Sequence, residues 1–210
     1  MKRLFIAAAL LLALLFANDV KAQVIGKDIK TNNEFSLTYG TLSNSEWIEA
    51  FGEVVSVMFG GDTKTKNAFG PMSAEYFRRI TPVVAVGAIG SVSSFKEDMM
   101  RRTTTATGET SSEKIGDYTR SYFTFMPAAK FNWLRKEHFG MYSKVAAGIT
   151  FANTNMKDTD PSVATKKDNN VMFNFQASLI GIEAGGQLRG FAEFGMGEQG
   201  AILLGIRYNF

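Results

Sequence analysis

The sequence has no cysteine, which excludes a disulfide scaffold, a zinc site built on thiolates and a lipid anchor attached at cysteine. It has one histidine, so chemistry that uses a histidine with a Ser or Asp partner has a single candidate. Only 4 prolines stand beside 18 phenylalanines and 20 glycines, a composition that does not suit a disordered or collagen-like chain. Charge of either sign is sparse: 20% of residues are charged and the formal net charge is +3, with a pI near 9.0. What remains is a chain of 210 residues, 45% hydrophobic and of mean hydropathy −0.04, long enough for one domain with a substantial core.

The positive charge is concentrated at the start. Lys2 and Arg3 precede an apolar stretch from Leu4 to Ala17, and Val20-Lys21-Ala22 places small residues three and one positions before Gln23. This is the pattern of a secretory signal peptide over 1–22, cleaved to leave 23–210. The apolar stretch is shorter than the roughly 20 residues a transmembrane helix needs. Removal of 22 residues leaves 188, and the charge falls from +3 to +1 because Lys2, Arg3 and Lys21 leave with Asp19. No dense basic stripe remains, so no nucleic-acid partner is expected.

After residue 32 the apolar residues recur with period two, broken by polar, Gly-rich or Thr-rich intervals. The alternation predicts eight strands at about 33–42, 69–79, 83–95, 118–131, 139–151, 171–183, 187–196 and 201–210. In the last of these, Ile202, Leu204, Ile206, Tyr208 and Phe210 share one face, opposite Arg207 and Asn209. Glu75, Arg120, Lys130, Lys144, Arg189, Glu193 and Arg207 all fall opposite the large apolar residues of their strands. A soluble sandwich would bury the phenylalanine face and wet the charged one. Strand length argues for the inverse arrangement, because several strands match the 9–11 residues that cross a bilayer at a tilt. Tyr39, Tyr76, Trp133, Phe139 and Tyr208 could supply interfacial girdles. The intervals alternate long and short (43–68, 80–82, 96–117, 132–138, 152–170, 184–187), as outer loops and inner turns should, and only 197–200 breaks the trend.

The signal segment, the eight strands and the terminal Ile202-x-Leu204-x-Ile206-x-Tyr208-x-Phe210 resemble the small eight-stranded outer-membrane β-barrels of Gram-negative bacteria, of the OmpA-transmembrane-domain, OmpX and OmpW type. The resemblance covers essentially all of 23–210. It implies an all-β fold, an eight-stranded antiparallel transmembrane β-barrel, in the outer membrane with both termini in the periplasm. It further implies that outer-membrane lipid and lipopolysaccharide surround the barrel and that the barrel-assembly machinery reads Ile202, Leu204, Ile206, Tyr208 and Phe210. It does not imply one activity, since this fold hosts adhesins, enzymes, channels and anchors.

An eight-stranded barrel is just wide enough for side chains to fill. Glu75, Arg120, Lys130, Lys144, Arg189, Glu193 and Arg207 are therefore expected to form a salt-bridged plug. The alternative is a narrow pathway for small apolar or anionic solutes, since five of the seven are basic. Between the first two strands, Ser43-Asn44-Ser45-Glu46 offers a capping box, and Trp47, Phe51, Val54, Val55 and Met58 follow at helical spacing before Gly60-Gly61. This predicts an amphipathic helix over about 44–59 in the first long loop: a lid, a gate, an interfacial helix or a docking face. His138 falls in a short turn away from the outer rim, and no Gly-x-Ser-x-Gly elbow occurs, so no catalytic residues and no enzyme activity are expected. Asn153, Asn155, Asp158 and Asp160 before Pro161 lack a calcium-loop pattern and read as turn formers, and Thr103 to Gly108 with Ser111-Ser112 reads as a loop tip. No metal or cofactor is expected.

Overall fold

A computed structural model describes residues 31–46, 62–104, 110–158 and 166–210, with side chains described for 31–46, 70–98, 114–158 and 167–210. The expected signal segment 1–22 lies outside the described residues, as do Trp47, Phe51, Val54, Val55 and Met58 of the expected helix. Of that helix, the described part is one turn at Asn44–Glu46.

Alternating side chains fit a pleated sheet, and here the sheet closes on itself. Eight strands pair antiparallel in chain order: β1 (Asn33–Thr41), β2 (Asp62–Arg79), β3 (Val84–Thr104), β4 (Thr110–Arg135), β5 (Phe139–Asp158), β6 (Lys166–Gly185), β7 (Leu188–Gly197) and β8 (Ile202–Asn209). β1 completes the ring against β8, from Glu34↔Asn209 to Thr41↔Ile202. Backbone bonds in both directions between Asn33 and Phe210, each 2.9 Å, continue that seam to its end. Closure leaves the spanning backbone no unpaired edge, the condition for strands to cross lipid.

Along each strand one set of side chains faces out and the other fills the interior. Phe35, Leu37 and Tyr39 of β1 are exposed, whereas Glu34, Ser36 and Thr38 are buried. Phe123 and Phe125, Val145 and Ile149, Phe173 and Phe175, Phe194 and Met196, and Ile202, Leu204 and Ile206 continue the exposed apolar belt around the ring, with Phe173 73% exposed. Tyr76, Trp133, Phe139 and Tyr208 face outward near the short-turn end and Tyr39 near the other. A surface apolar on all sides around a charged interior is matched to hydrocarbon rather than water. The interior itself is divided. Phe77, Ala85, Ile89, Met126 and Ala146 form a dry cluster on the β2–β5 wall, and the charged residues occupy the remainder.

Five strands are longer than the alternation predicts. β2 starts at Asp62 rather than 69, β3 runs on to Thr104, β4 spans Thr110–Arg135, β5 continues to Asp158 and β6 starts at Lys166. Two expectations are corrected by this. Thr103 and Thr104 pair with Ser111 and Thr110 in the β3–β4 ladder rather than forming a loop tip, and Asn153, Asn155 and Asp158 are strand residues of β5 rather than turn formers. Above the lipid both faces of a strand meet water, so the apolar alternation that marks a strand stops before the strand does.

Candidate functional site

The lumen is built from one inward residue in every two. Glu34 accepts hydrogen bonds from Lys130 Nζ at 2.5 Å and Arg79 Nη2 at 2.9 Å. Lys144 Nζ lies between two carboxylates, 2.6 Å from Glu75 Oε1 and 2.8 Å from Glu193 Oε2. Glu183 accepts from Arg189 at 2.8 Å and from Arg207 Nη1. Tyr142 knits these groups together: its hydroxyl donates to Glu193 at 2.8 Å and accepts from Arg207 Nη2 at 3.1 Å. Its ring lies under Lys130 Nζ at 4.4 Å and under the Arg207 guanidinium at 4.7 Å. Gly181 is required beside that ring, because a Cβ there would stand 2.5 Å from Tyr142. Arg189 also donates to the carbonyls of Gly186 and Glu137, tying the network to the short-turn end.

Of the seven residues predicted for the lumen, Glu75, Lys130, Lys144, Arg189, Glu193 and Arg207 come together here. Arg120 does not: it stands further along β4, beside Thr154 and with its guanidinium 5.0 Å from the Tyr118 ring centroid. Three members were not predicted. Glu34 and Arg79 lie at the ends of weakly patterned strands. Glu183 was hidden by a register shift between Ser178 and Ile180, which turns Glu183 inward even though it is out of phase with Asn174, Gln176 and Ser178. With them, the five cations Arg79, Lys130, Lys144, Arg189 and Arg207 face the four carboxylates Glu34, Glu75, Glu183 and Glu193, so the basic excess suggested by the sequence is nearly cancelled.

The opposite mouth is capped. Gly197 and Gly200 take φ of 137° and 115°, left-handed backbone that lets a tight turn fold Glu198 and Gln199 over the lumen. Gln199 Nε2 donates to Glu75 Oε1 at 2.7 Å and so joins cap to network. Glu198 receives Ser45 Oγ at 2.6 Å and Asn174 Nδ2 at 2.7 Å. Ser45 belongs to the capping box, which forms in both directions: Ser43 N donates to Glu46 Oε2 at 2.5 Å and Glu46 N donates to Ser43 Oγ at 3.1 Å. Asn44 Nδ2 reaches Asn174 Oδ1 at 2.7 Å. Among the described residues no cation pairs with Glu198. Burial pushes its carboxyl above the ordinary range, opposed by the bonds from Ser45, Asn174 and Thr124.

Beyond the cap the ring of paired strands does not close among the described residues. The last β1–β2 pair is Tyr39↔Met72 and the last β6–β7 pair is Gln176↔Gly197, whereas β2 continues to Asp62 and β6 to Lys166. β2 to β6 therefore project as a five-stranded sheet of about ten further residues, roughly 30 Å of strand. Its two edges, the far parts of β2 and β6, have no neighbouring strand among the described residues. On this sheet Lys114 pairs with Asp98 at 2.8 Å and with Asp117 at 2.5 Å. His138 lies exposed in the turn between β4 and β5, at the far end of the molecule. No group of three His, Cys, Asp or Glu side chains among the described residues is placed to hold a metal ion.

No family model matches the chain, and no curated protein sequence matches it. Among solved structures, the chain is similar to Ail, the attachment invasion locus protein of Yersinia pestis. The identity is 13% and the TM-score 0.45, covering 86% of this chain and 99% of that one. It is also similar to the same Yersinia pestis protein in complex with the heparin analogue sucrose octasulfate, at 14% identity and a TM-score of 0.41, covering 86% and 99%. The closed eight-stranded antiparallel barrel is established by this chain's own strand pairing.

Proposed function

We propose that this protein is a non-enzymatic outer-membrane β-barrel of a Gram-negative bacterium, closed to solutes and acting at the cell surface through its projecting sheet. Export through the signal segment 1–22, insertion by the barrel-assembly machinery and a surround of outer-membrane lipid and lipopolysaccharide belong to the same reading. The observation that carries it is the division of labour along the barrel axis. The spanning part, where β1, β7 and β8 have 9, 10 and 8 residues, is filled by ion pairs and capped by Glu198 and Gln199. The projecting part lies beyond the cap, and among the described residues its two edges have no neighbouring strand. An exposed edge offers unpaired backbone donors and acceptors to another strand, and proteins normally cover such edges.

A narrow channel for small apolar or anionic solutes, gated by the loop helix, is the competing reading. The pairing of nearly every lumen charge opposes it, because an ion in transit would have to displace buried partners. Reconstitution into planar bilayers separates the two, since the plugged barrel gives no reproducible unitary currents and well-resolved channels would replace it with the transport reading. For the surface role, the β3–β4 hairpin is shortened by replacing 98–117 with a tight turn. The shortened protein should keep its heat-modifiable gel mobility and lose surface association; retained association would overturn the assignment to the sheet.

A further inference from the structure

Just inside the cap, five consecutive strands each present a buried hydroxyl at the same level. Thr38 pairs with Ser73, Ser73 with Ser91, Ser91 with Thr124 and Thr124 with Thr150, all facing the lumen and all at most 3% exposed. The collar behaves differently on its two sides. On the β4–β5 side Thr124 Oγ1 and Thr150 Oγ1 bond at 2.7 Å, and Asn174 Nδ2 donates to Thr150 at 3.1 Å. On the β1–β2 side Thr38 Oγ1 and Ser73 Oγ have no hydrogen-bond partner among the described residues, although their residues are direct register neighbours. Two further buried atoms near them share that condition: Gln199 Oε1 in the cap and Glu75 Oε2 in the network, on side chains joined through Gln199 Nε2 and Glu75 Oε1 at 2.7 Å.

Three such atoms on the β1–β2 wall and a fourth in the cap are costly as a dry site. Each such hydroxyl or amide oxygen forfeits hydration and recovers no hydrogen bond, and Glu75 Oε2 recovers a 3.9 Å contact to Arg207. Thr38 and Ser73 are register partners whose hydroxyls do not bond each other, and a water that donates to one and accepts from the other would satisfy both. We propose that Thr38, Ser73, Glu75 and Gln199 line a bound-water site, a small cluster of ordered water linking the outer cap to the lumen charge network. The donor set suits water. Hydroxyls donate and accept, the carboxylate and amide oxygens accept, and a buried water makes about three such bonds. A cation is disfavoured because Glu75 already faces Lys144 at 2.6 Å and Arg207 at 3.9 Å.

The test uses the full barrel refolded in detergent micelles. Magnetisation transfer from water to the amides around residues 38, 73 and 199 should give persistent cross-peaks that Thr38→Val removes. In parallel, Thr38→Val should lower the temperature at which the unheated gel band converts to the unfolded one by several degrees, and Thr38→Ser should restore it. A rise in that temperature for Thr38→Val, with no water cross-peaks in the wild type, would mean a dry orphaned hydroxyl and would overturn the proposal. Cross-peaks that change when sodium or potassium chloride is replaced by choline chloride would assign the site to a cation and overturn it equally.

Discussion

Lys144 carries its charge where none could survive alone, buried to 0% exposure between Glu75 and Glu193. Replacing it with Met would remove the close cation from the buried Glu75 and Glu193 carboxylates and leave them the longer contacts to Arg207, 3.9 Å from each. The expected cost is about 3–5 kcal/mol, the range for breaking a buried ion pair from one side, read from urea unfolding of the lipid-reconstituted barrel. Neutralising all three positions together (Lys144→Met, Glu75→Gln, Glu193→Gln) should recover most of that loss, because the penalty is for the unpaired charges and not for the missing bonds. A triple variant as unstable as the single one would refute this account. Glu198 is the complementary case, an acid held only by neutral donors. Its carboxyl titrates above the ordinary 4.5 because burial opposes the charged form. The folded state therefore holds this proton at a pH where the unfolded state has released it. Stability from this group is fully present below the unfolded value and declines as pH rises from there through the raised folded value. Glu198→Gln should remove that decline, so the difference in unfolding midpoint between variant and wild type grows in the variant's favour from about pH 4 to pH 7. A difference that is constant with pH would show that Glu198 does not titrate in this window.

At the scale of the strand, the far half of β6 tests whether the projecting edge is open. In an antiparallel ladder successive amides point to opposite neighbours. Between 167 and 174 every second amide should point to β5 and be protected, and the others should point where β7 is missing. From 176 to 184 both neighbours are present. Amide hydrogen exchange should therefore alternate fast and slow over 167–174 and be slow throughout 176–184, apart from the register shift near Leu179. Uniform protection over 167–174 would mean that another strand, such as that of a second copy, already covers the edge. The same element shows how far the sequence could be read. Within the lipid, apolar and polar faces are forced apart, so the period-two pattern placed Phe173, Phe175, Asn174 and Gln176 on their observed sides. It lost Glu183 because the shift at Ser178/Ile180 costs one residue of phase and a pattern of fixed period cannot anticipate it. It lost residues 166–170 because strand there is held by backbone pairing to β5, with no membrane to demand alternation. Phe77, Ile89 and Met126 are a further departure. They face a lumen that alternation alone would make polar, and they pack there because side chains must fill an eight-stranded interior whatever their chemistry.

For the whole molecule, the closing seam separates what holds the barrel together from what we propose guides its assembly. The seam is made by backbone pairing from Glu34↔Asn209 to Thr41↔Ile202, and by the reciprocal bonds between Asn33 and Phe210. The side chains of Ile202, Leu204, Ile206, Tyr208 and Phe210 all point away from it, each 48% or more exposed at the outer surface. The Phe210 ring stacks on Tyr208, with centroids 5.8 Å apart, and touches no buried core. Phe210→Ala leaves the backbone bonds intact and removes one exposed ring, so refolding into detergent or lipid vesicles should proceed with a change in stability of about 1 kcal/mol or less, typical of a surface position. If that outward row is the signal read by the assembly machinery, the same variant should accumulate poorly in the outer membrane of cells. Heat-modifiable mobility of the refolded and of the membrane-extracted protein measures both. Parallel loss in vessel and cell would make Phe210 a folding residue, and no loss in either would remove it from the signal. Only failure in the cell combined with success in the vessel supports the assembly reading.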